Sequence, residues 1–488
     1  MSDLASAALE AARRQGAQLA ELRAERIVNQ AVALRDGELE GSADEVELGL
    51  SVRVIHDGAI GFAGSVELTP EAAAACAAQA IEIARLTRQA GSGAVELADE
   101  PTYGEVHWEG PYRRDATTVP LAERVALLGE WSRGLLASDV VDHVTTSLHT
   151  VAEEKYLATM AGTVALQRRV RIHPTLEALA IASDGSFETM RTLAPPTARG
   201  YEYLEGEGWD FPGELAELPE HLAAKLAAPS VEPGHYDLVI DPTNLWLTIH
   251  ESIGHATELD RAMGYEAAMA GTSFATFDKL GSLRYGSEVM TVTGDRTVEH
   301  GLSTIAIDDE GVEGQSFDLI VDGTLRGYQL DRRIAAEMGF SRSNGCAYAE
   351  SALQTPIQRM ANVSLRPSSD DLSLDDLIGG VEQGIYVVGD KSWSIDMQRH
   401  NFQFTGQRFY AIEKGRVAGQ VKDVAYQART TDFWGAMEAV GGPQTYVLGG
   451  AFNCGKGQPM QSAPVSHGCP AALFRQINVL NTRAESGR

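Results

Sequence analysis

The sequence predicts an α+β fold in two domains: an N-terminal helix-plus-antiparallel-sheet domain and a mostly β C-terminal domain that carries a metal-binding helix. Three observations predict it. The first half alternates period-two apolar runs with alanine-rich stretches, and the second half is Gly-rich with short apolar runs separated by D-G and K-G turns. At 488 residues, the chain also exceeds what one ordinary core holds.

An amphipathic helix opens the chain over residues 1–16, followed by strands at Glu25–Leu34, Glu45–His56 and Ala59–Ala63, broken at D-G turns. Pro70 to Gln89 is alanine-rich with proline at its start, which predicts a helix. Cys76 within it reads as a small core residue. Residues Ala90–Arg114 lose periodicity and predict a long connection, followed by a helix near Pro120–Ala137, alternation over Asp142–Ile172 and a further strand at Thr175–Ala182. The Arg168-Arg169-Val170-Arg171 cluster reads as a solvated strand face. The domains are placed at 1–205 and 234–488, joined by a linker of residues 206–233 with an exposed helix near Glu214–Ala228. A strand at Tyr236–Ile240 then runs into Asp241-Pro242-Thr243, a helix start. Further short strands are expected at Val289–Val292, Ser303–Ile307, Ser316–Val321, Thr324–Leu330, Ile385–Val388, Phe402–Gly406 and Arg408–Glu413, with the clearest hairpin around Asp322-Gly323.

Hydrophobic content of 44% and charged content of 22% are those of a globular protein, and a formal charge of −28 argues against a nucleic-acid partner. Four widely spaced cysteines form no disulfide framework, and the N-terminus lacks a signal-peptide core. No run approaches the roughly 18 apolar residues of a membrane span. A cytoplasmic protein without a membrane partner is therefore expected.

The chemistry centres on Thr248–Asp260, T-I-H-E-S-I-G-H-A-T-E-L-D. His250, Glu251 and His255 offer two imidazoles for a borderline-soft cation, Zn²⁺ by default, and a carboxylate to act on its water. The spacing is one residue longer than the helical H-E-x-x-H device, and on a regular helix this step would leave the histidines about 140° apart. A π-bulge would realign them, and Gly254 would tolerate the distortion. A third ligand is needed. Glu258 shares a helix face with His255 and is a ligand or an orienting carboxylate. Cys454, in the glycine-rich G-G-A-F-N-C-G-K-G-Q, is the other main candidate; His467 with Cys469 is a weaker pair, and Cys346 reads as structural.

Together these stretches resemble the TldD/PmbA family of metalloproteases. The resemblance is carried by His250–Asp260, I-D-D-E-G at Ile307–Gly311, D-G-T-L-R-G-Y at Asp322–Tyr328 leading to Asp331-Arg332, R-M-A-N at Arg359–Asn362, C-G-K-G-Q at Cys454–Gln458, and V-R-V-I-H-D-G-A-I-G-F-A at Val52–Ala63. It implies zinc held by His250, His255 and Cys454, with Glu251 as general base. It also implies hydrolysis of unstructured peptides, such as modified-peptide precursors or leaders, and a dimer with a homologous subunit lacking the metal motif or with a second copy. The chain departs from the family pattern at Asn344–Ala347 and Asp390–Arg399. Asp260, Tyr348, Arg359 and Asn362 are further candidates for supporting the site or binding substrate, the last three for stabilising an oxyanion. Two alternatives share the metal: a zinc amidohydrolase acting on a small molecule, and a non-catalytic zinc-binding partner subunit.

Overall fold

Helix α1 (Ser2–Arg14) leads into β1 (Leu19–Arg35), which turns at Asp36-Gly37 into β2 (Glu38–His56) and at Asp57-Gly58 into β3 (Ala59–Ser65) in the computed structural model, which describes residues 1–91, 93–457 and 459–485. Both turns place Asp and then Gly at positive φ, 51° and 81° in the first and 49° and 70° in the second, the geometry that matches the twist of paired strands. Helix α2 (Pro70–Gln89) is capped by the Thr69 hydroxyl, which accepts from Ala72 N–H. Strand β4 (Glu105–Glu109), α3 (Leu121–Leu136), β5 (His143–Thr159), β6 (Val164–Ile181) and β7 (Phe187–Arg191) complete a seven-stranded sheet. Its order is β3-β2-β1-β5-β6-β4, with β7 beside β6 and only the β4–β6 pair parallel. Helices α1, α2, α3 and α4 (Phe211–Ala227) contribute to the apolar clusters of this half.

Three expectations change here. The connection after Ala90 contains β4, the strand expected at Thr175–Ala182 is the end of β6, which stops at Ile181, and α4 is not an exposed helix. Phe211, Leu218 and Leu222 recur at helical spacing and are fully buried.

The C-terminal half begins with β8 (Gly234–Ile240) and α5 (Pro242–Ile249), where Asp241 caps the helix by accepting from Thr243 N–H at 3.0 Å. Strand pairing then runs in a closed ring: β8, Gln383–Ile395, Asn401–Glu413, Val424–Arg429, Ala472–Asn481 and back to β8. Beside the ring stand a small sheet containing the Asp322-Gly323 hairpin and a separate hairpin of Val447–Lys456 with Gln461–Cys469. Phe402–Gly406 and Arg408–Glu413 merge into one strand, and the strands expected at Val289–Val292 and Thr324–Leu330 are found as Val292–Asp295 and Thr324–Leu325. Ser303–Ile307 is not a strand: Ser303 is held by the Asn362 side chain, and the backbone of Ala306 and Ile307 by Gln167 Oε1. Gln458, the last residue of the C-G-K-G-Q stretch, lies outside the described residues.

The charged face of the N-terminal sheet meets the C-terminal half through the I-D-D-E-G segment. Lys155 Nζ donates to Asp309 Oδ2 at 2.8 Å, Arg53 pairs with Glu310, and Gln167 Nε2 donates to Ile307 O at 2.6 Å. These groups are buried, so each needs its partner in place of water. Arg169 and Arg171, expected on a solvated face, are likewise buried on Glu153.

Candidate metal centre

Helix α5 does not stop at Ile249 but widens into a π turn over His250–Gly254. His255 N–H donates to His250 O, a five-residue step that absorbs the extra residue of the motif. Widening the turn releases carbonyls from the regular ladder, and neighbouring side chains take them up. Ser252 Oγ donates to Thr248 O, Tyr285 OH to Ser252 O, and Gln329 Nε2 to Gly254 O at 2.7 Å. Gln329 directly follows the D-G-T-L-R-G-Y stretch, which thereby supports the turn from below. Gly254 has φ −51°, so backbone freedom is not what the site uses. A Cβ there would lie 2.6 Å from Met360 Sδ, and close packing against the R-M-A-N segment is the reason for glycine.

The π turn brings His250 and His255 together with Cys454, their ligand atoms all within 4.8 Å of one another and all three residues buried. His255 Nε2 lies 3.7 Å from Cys454 Sγ. The tautomers follow from the surrounding acceptors. Val363 O can only accept, so His467 Nδ1–H donates to it at 2.9 Å, leaving His467 Nε2 to accept from His250 Nδ1–H at 2.7 Å. His255 Nδ1 faces the Glu258 carboxylate at 2.8 Å and carries its proton there. The imidazoles of His250 and His255 therefore each keep a bare Nε2 that could take a metal. Burial pulls the pKa of all three histidines below the usual range, keeping them neutral. Burial pushes the Cys454 thiol up to about 11, so a cation binding there must displace its proton. Two neutral imidazoles and one displaceable thiol proton, converging in a buried site with their outer nitrogens already satisfied, fit zinc.

Glu258 anchors a buried charge cluster. Burial alone would raise its pKa, but Lys456 at 3.0 Å, the His255 hydrogen bond and Arg261 hold it well below the usual carboxylate range. Lys456 also reaches Asp260 at 2.8 Å and Gln358 at 2.8 Å. Because side chains at i and i+2 of a strand share a face, Cys454 and Lys456 turn together toward the π turn, one to His255 and one to Glu258. The C-G-K spacing carries that signal.

Glu251 is buried, and its Oε2 accepts from Arg399 Nη1 at 2.8 Å. Arg399 sits at φ 62°, in the stretch where the sequence departs from the family pattern, and the sequence reading missed it. His467, a weak ligand candidate in sequence, is instead the partner of His250; Cys469 points to Pro242 O at 3.6 Å.

The three oxyanion candidates are each engaged with other groups. Tyr348 lies at the inter-domain contact with the Lys155 ammonium 4.3 Å from its ring centroid. Arg359 donates to the carbonyls of Cys454 and Gln461, bracing the hairpin that carries Cys454 through its backbone. Asn362 spends its amide on Ser303, Ser466, Asp295 and Thr304. None of these three lines the cleft that contains His250 and Glu251, a space of about 230 Å³ between the two halves of the chain.

Residues 233–481 match the family model of the PmbA/TldA metallopeptidase C-terminal domain, and residues 20–84 match that of PmbA/TldA metallopeptidase domain 1. The chain belongs to the TldD/PmbA family. It is 29% identical over 468 residues to a metalloprotease of Methanothermobacter thermautotrophicus, covering 95% of each chain. It is 27% identical to a metalloprotease TldD homolog of Haemophilus influenzae, covering 92% of this chain and 90% of that one. A zinc metalloprotease TldD homolog of Saccharolobus solfataricus is 26% identical over 62% of this chain and 64% of its own. The fold is shared with the solved TldE of Thermococcus kodakarensis, with a TM-score of 0.70 at 18% identity over 96% of this chain and 97% of that one. Among the described residues, no helix is long and apolar enough to cross a membrane.

Proposed function

We propose that this TldD/PmbA chain is a zinc peptidase acting on unstructured peptides, with His250, His255 and Cys454 holding the metal and Glu251 as general base. The observation that carries the reading is the convergence of those three donors beside a carboxylate that lines an open cleft. When bound, zinc would supply the Lewis acidity that makes water a nucleophile near neutral pH and polarises a peptide carbonyl. Glu251 then takes the proton from the attacking water and delivers it to the leaving amine nitrogen as the C–N bond breaks. Arg399 holds the Glu251 carboxylate in one orientation. Strand Val447–Lys456 pairs only with Gln461–Cys469 among the described residues, so its other edge is free, and Val447, Gly449 and Gly450 line the cleft. An extended peptide adds to such an edge through backbone hydrogen bonds, which favours unfolded substrates over folded ones.

Three protein donors leave a position for substrate, which favours catalysis over the closed four-ligand site of a non-catalytic zinc subunit. Family membership and the fold shared with TldE support a homologous subunit, or a second copy of this chain, as the partner. The test is digestion of an unfolded peptide mixture by zinc-loaded wild type and Glu251→Gln. Cleavage by the first and not the second supports the reading; equal rates contradict the role of Glu251.

A further inference from the structure

We infer that the cleft selects peptides with a large apolar side chain next to the scissile bond, an inference that rests on the peptidase reading above. Two parts of the cleft lining differ in chemistry. One is the free edge of Val447–Lys456, where a Cβ on Gly449 would lie 2.7 Å from the Trp246 ring and one on Gly450 would lie 2.4 Å from Val465 O. Close packing against Trp246 and the partner strand thus requires glycine at both positions, while the outer edge has no strand partner among the described residues. A second part of the lining is the segment Thr192–Pro196 of the N-terminal half. Pro195 and Pro196 have no N–H, so this segment cannot extend a ladder and offers side-chain surface instead.

An extended peptide paired with the free edge turns its side chains alternately to opposite sides. Five apolar side chains await them: Leu193, Pro195, Trp246, Val447 and Phe452 are each half-buried and line the cleft. The charged groups that line it are already engaged, Arg191 Nη2 with Asp390 Oδ2 at 2.8 Å and Glu251 Oε2 with Arg399 Nη1 at 2.8 Å. A charged substrate side chain would lose hydration there without a free partner, whereas a Leu or Phe side chain gains burial. Because His250 and Glu251 line the same cleft, the selected residue is one flanking the bond that is cut.

The experiment is a panel of end-capped peptides identical except at one position, carrying Phe, Leu, Gln, Asp or Lys, digested by protein whose zinc content has been measured. Bonds flanked by Phe or Leu are expected to be cut with kcat/KM at least tenfold above those flanked by Asp or Lys. Leu193→Lys is expected to raise the Asp peptide at least tenfold relative to the Phe peptide, with zinc content unchanged. Equal rates for Phe and Asp with wild type, a measurement that needs no variant to fold, overturn the inference and leave the peptidase reading standing. An unaltered preference in folded Leu193→Lys does the same. No cleavage of any peptide by zinc-containing protein overturns the peptidase reading, and the inference falls with it.

Discussion

Replacing His467 by phenylalanine should weaken zinc binding although His467 is not placed as a ligand. The ring fills a similar volume but removes both nitrogens, leaving His250 Nδ1–H without its acceptor at 2.7 Å and Val363 O without its donor at 2.9 Å. Each group is buried, and an unsatisfied buried donor or acceptor costs about 1–3 kcal/mol. His250 can recover part of this by moving its proton to Nε2, the nitrogen the metal needs. Loss of such an orienting partner typically lowers metal affinity 10–100-fold, which is about 1.4–2.7 kcal/mol. Competition with a chromophoric zinc chelator at fixed pH measures it. His467→Gln retains a donor and an acceptor and should lose less. An affinity for His467→Phe within twofold of wild type, or equal losses for the two variants, would refute the tautomer assignment.

Glu251→Gln should keep its zinc and lose about 10²–10⁴ in kcat, the usual worth of a positioned proton acceptor, in a single-peptide assay. Lys155→Met strands Asp309 in the buried inter-domain contact and should cost about 3–5 kcal/mol in denaturant unfolding; a loss under 1 kcal/mol would show that contact to be dispensable. Gly254→Ala should destabilise by about 1–3 kcal/mol through overpacking against Met360, and an unchanged midpoint would contradict the packing at that position. His173 is pushed down to about 4 by burial, with Arg191 and His149 adding to the effect. Below the unfolded value near 6.5, the unfolded chain binds more protons, so this contribution is complete above pH 6.5 and lost as pH falls toward 4. Its ceiling is about 3 kcal/mol by the shift, reduced because the ring is partly exposed. His173→Gln should therefore flatten the acid limb of stability between those pH values, whereas an unchanged limb would mean the ring is not buried neutral.

Much of this arrangement is legible in the sequence because it is local. The five-residue step between His250 and His255 would put the two rings on different faces of a regular helix, so a π turn, found at His250–Gly254, is what a shared metal would require of this spacing. The D-G turns and the alanine-rich helix are equally local. What escapes is set by tertiary contact. His467 reaches His250 from a strand 217 residues away, and Arg399 reaches Glu251 across 148 residues, neither with any sequence period to announce it. Gly254 was legible as important but for a different reason, since its neighbour Met360 becomes visible only once the segments pack. The hairpin carrying Cys454 is absent from the expected strands because Gly449, Gly450 and Gly455 depress strand propensity, while the bulge between Ala451 and Cys454 interrupts the alternation.

Whether His250, His255 and Cys454 form a zinc site is tested most directly by native mass spectrometry of wild type beside Cys454→Ser and Glu251→Gln. The prediction is close to one zinc per chain in wild type and Glu251→Gln, with a clear reduction in Cys454→Ser. Absence of zinc from all three proteins, even after zinc is added back, would contradict it.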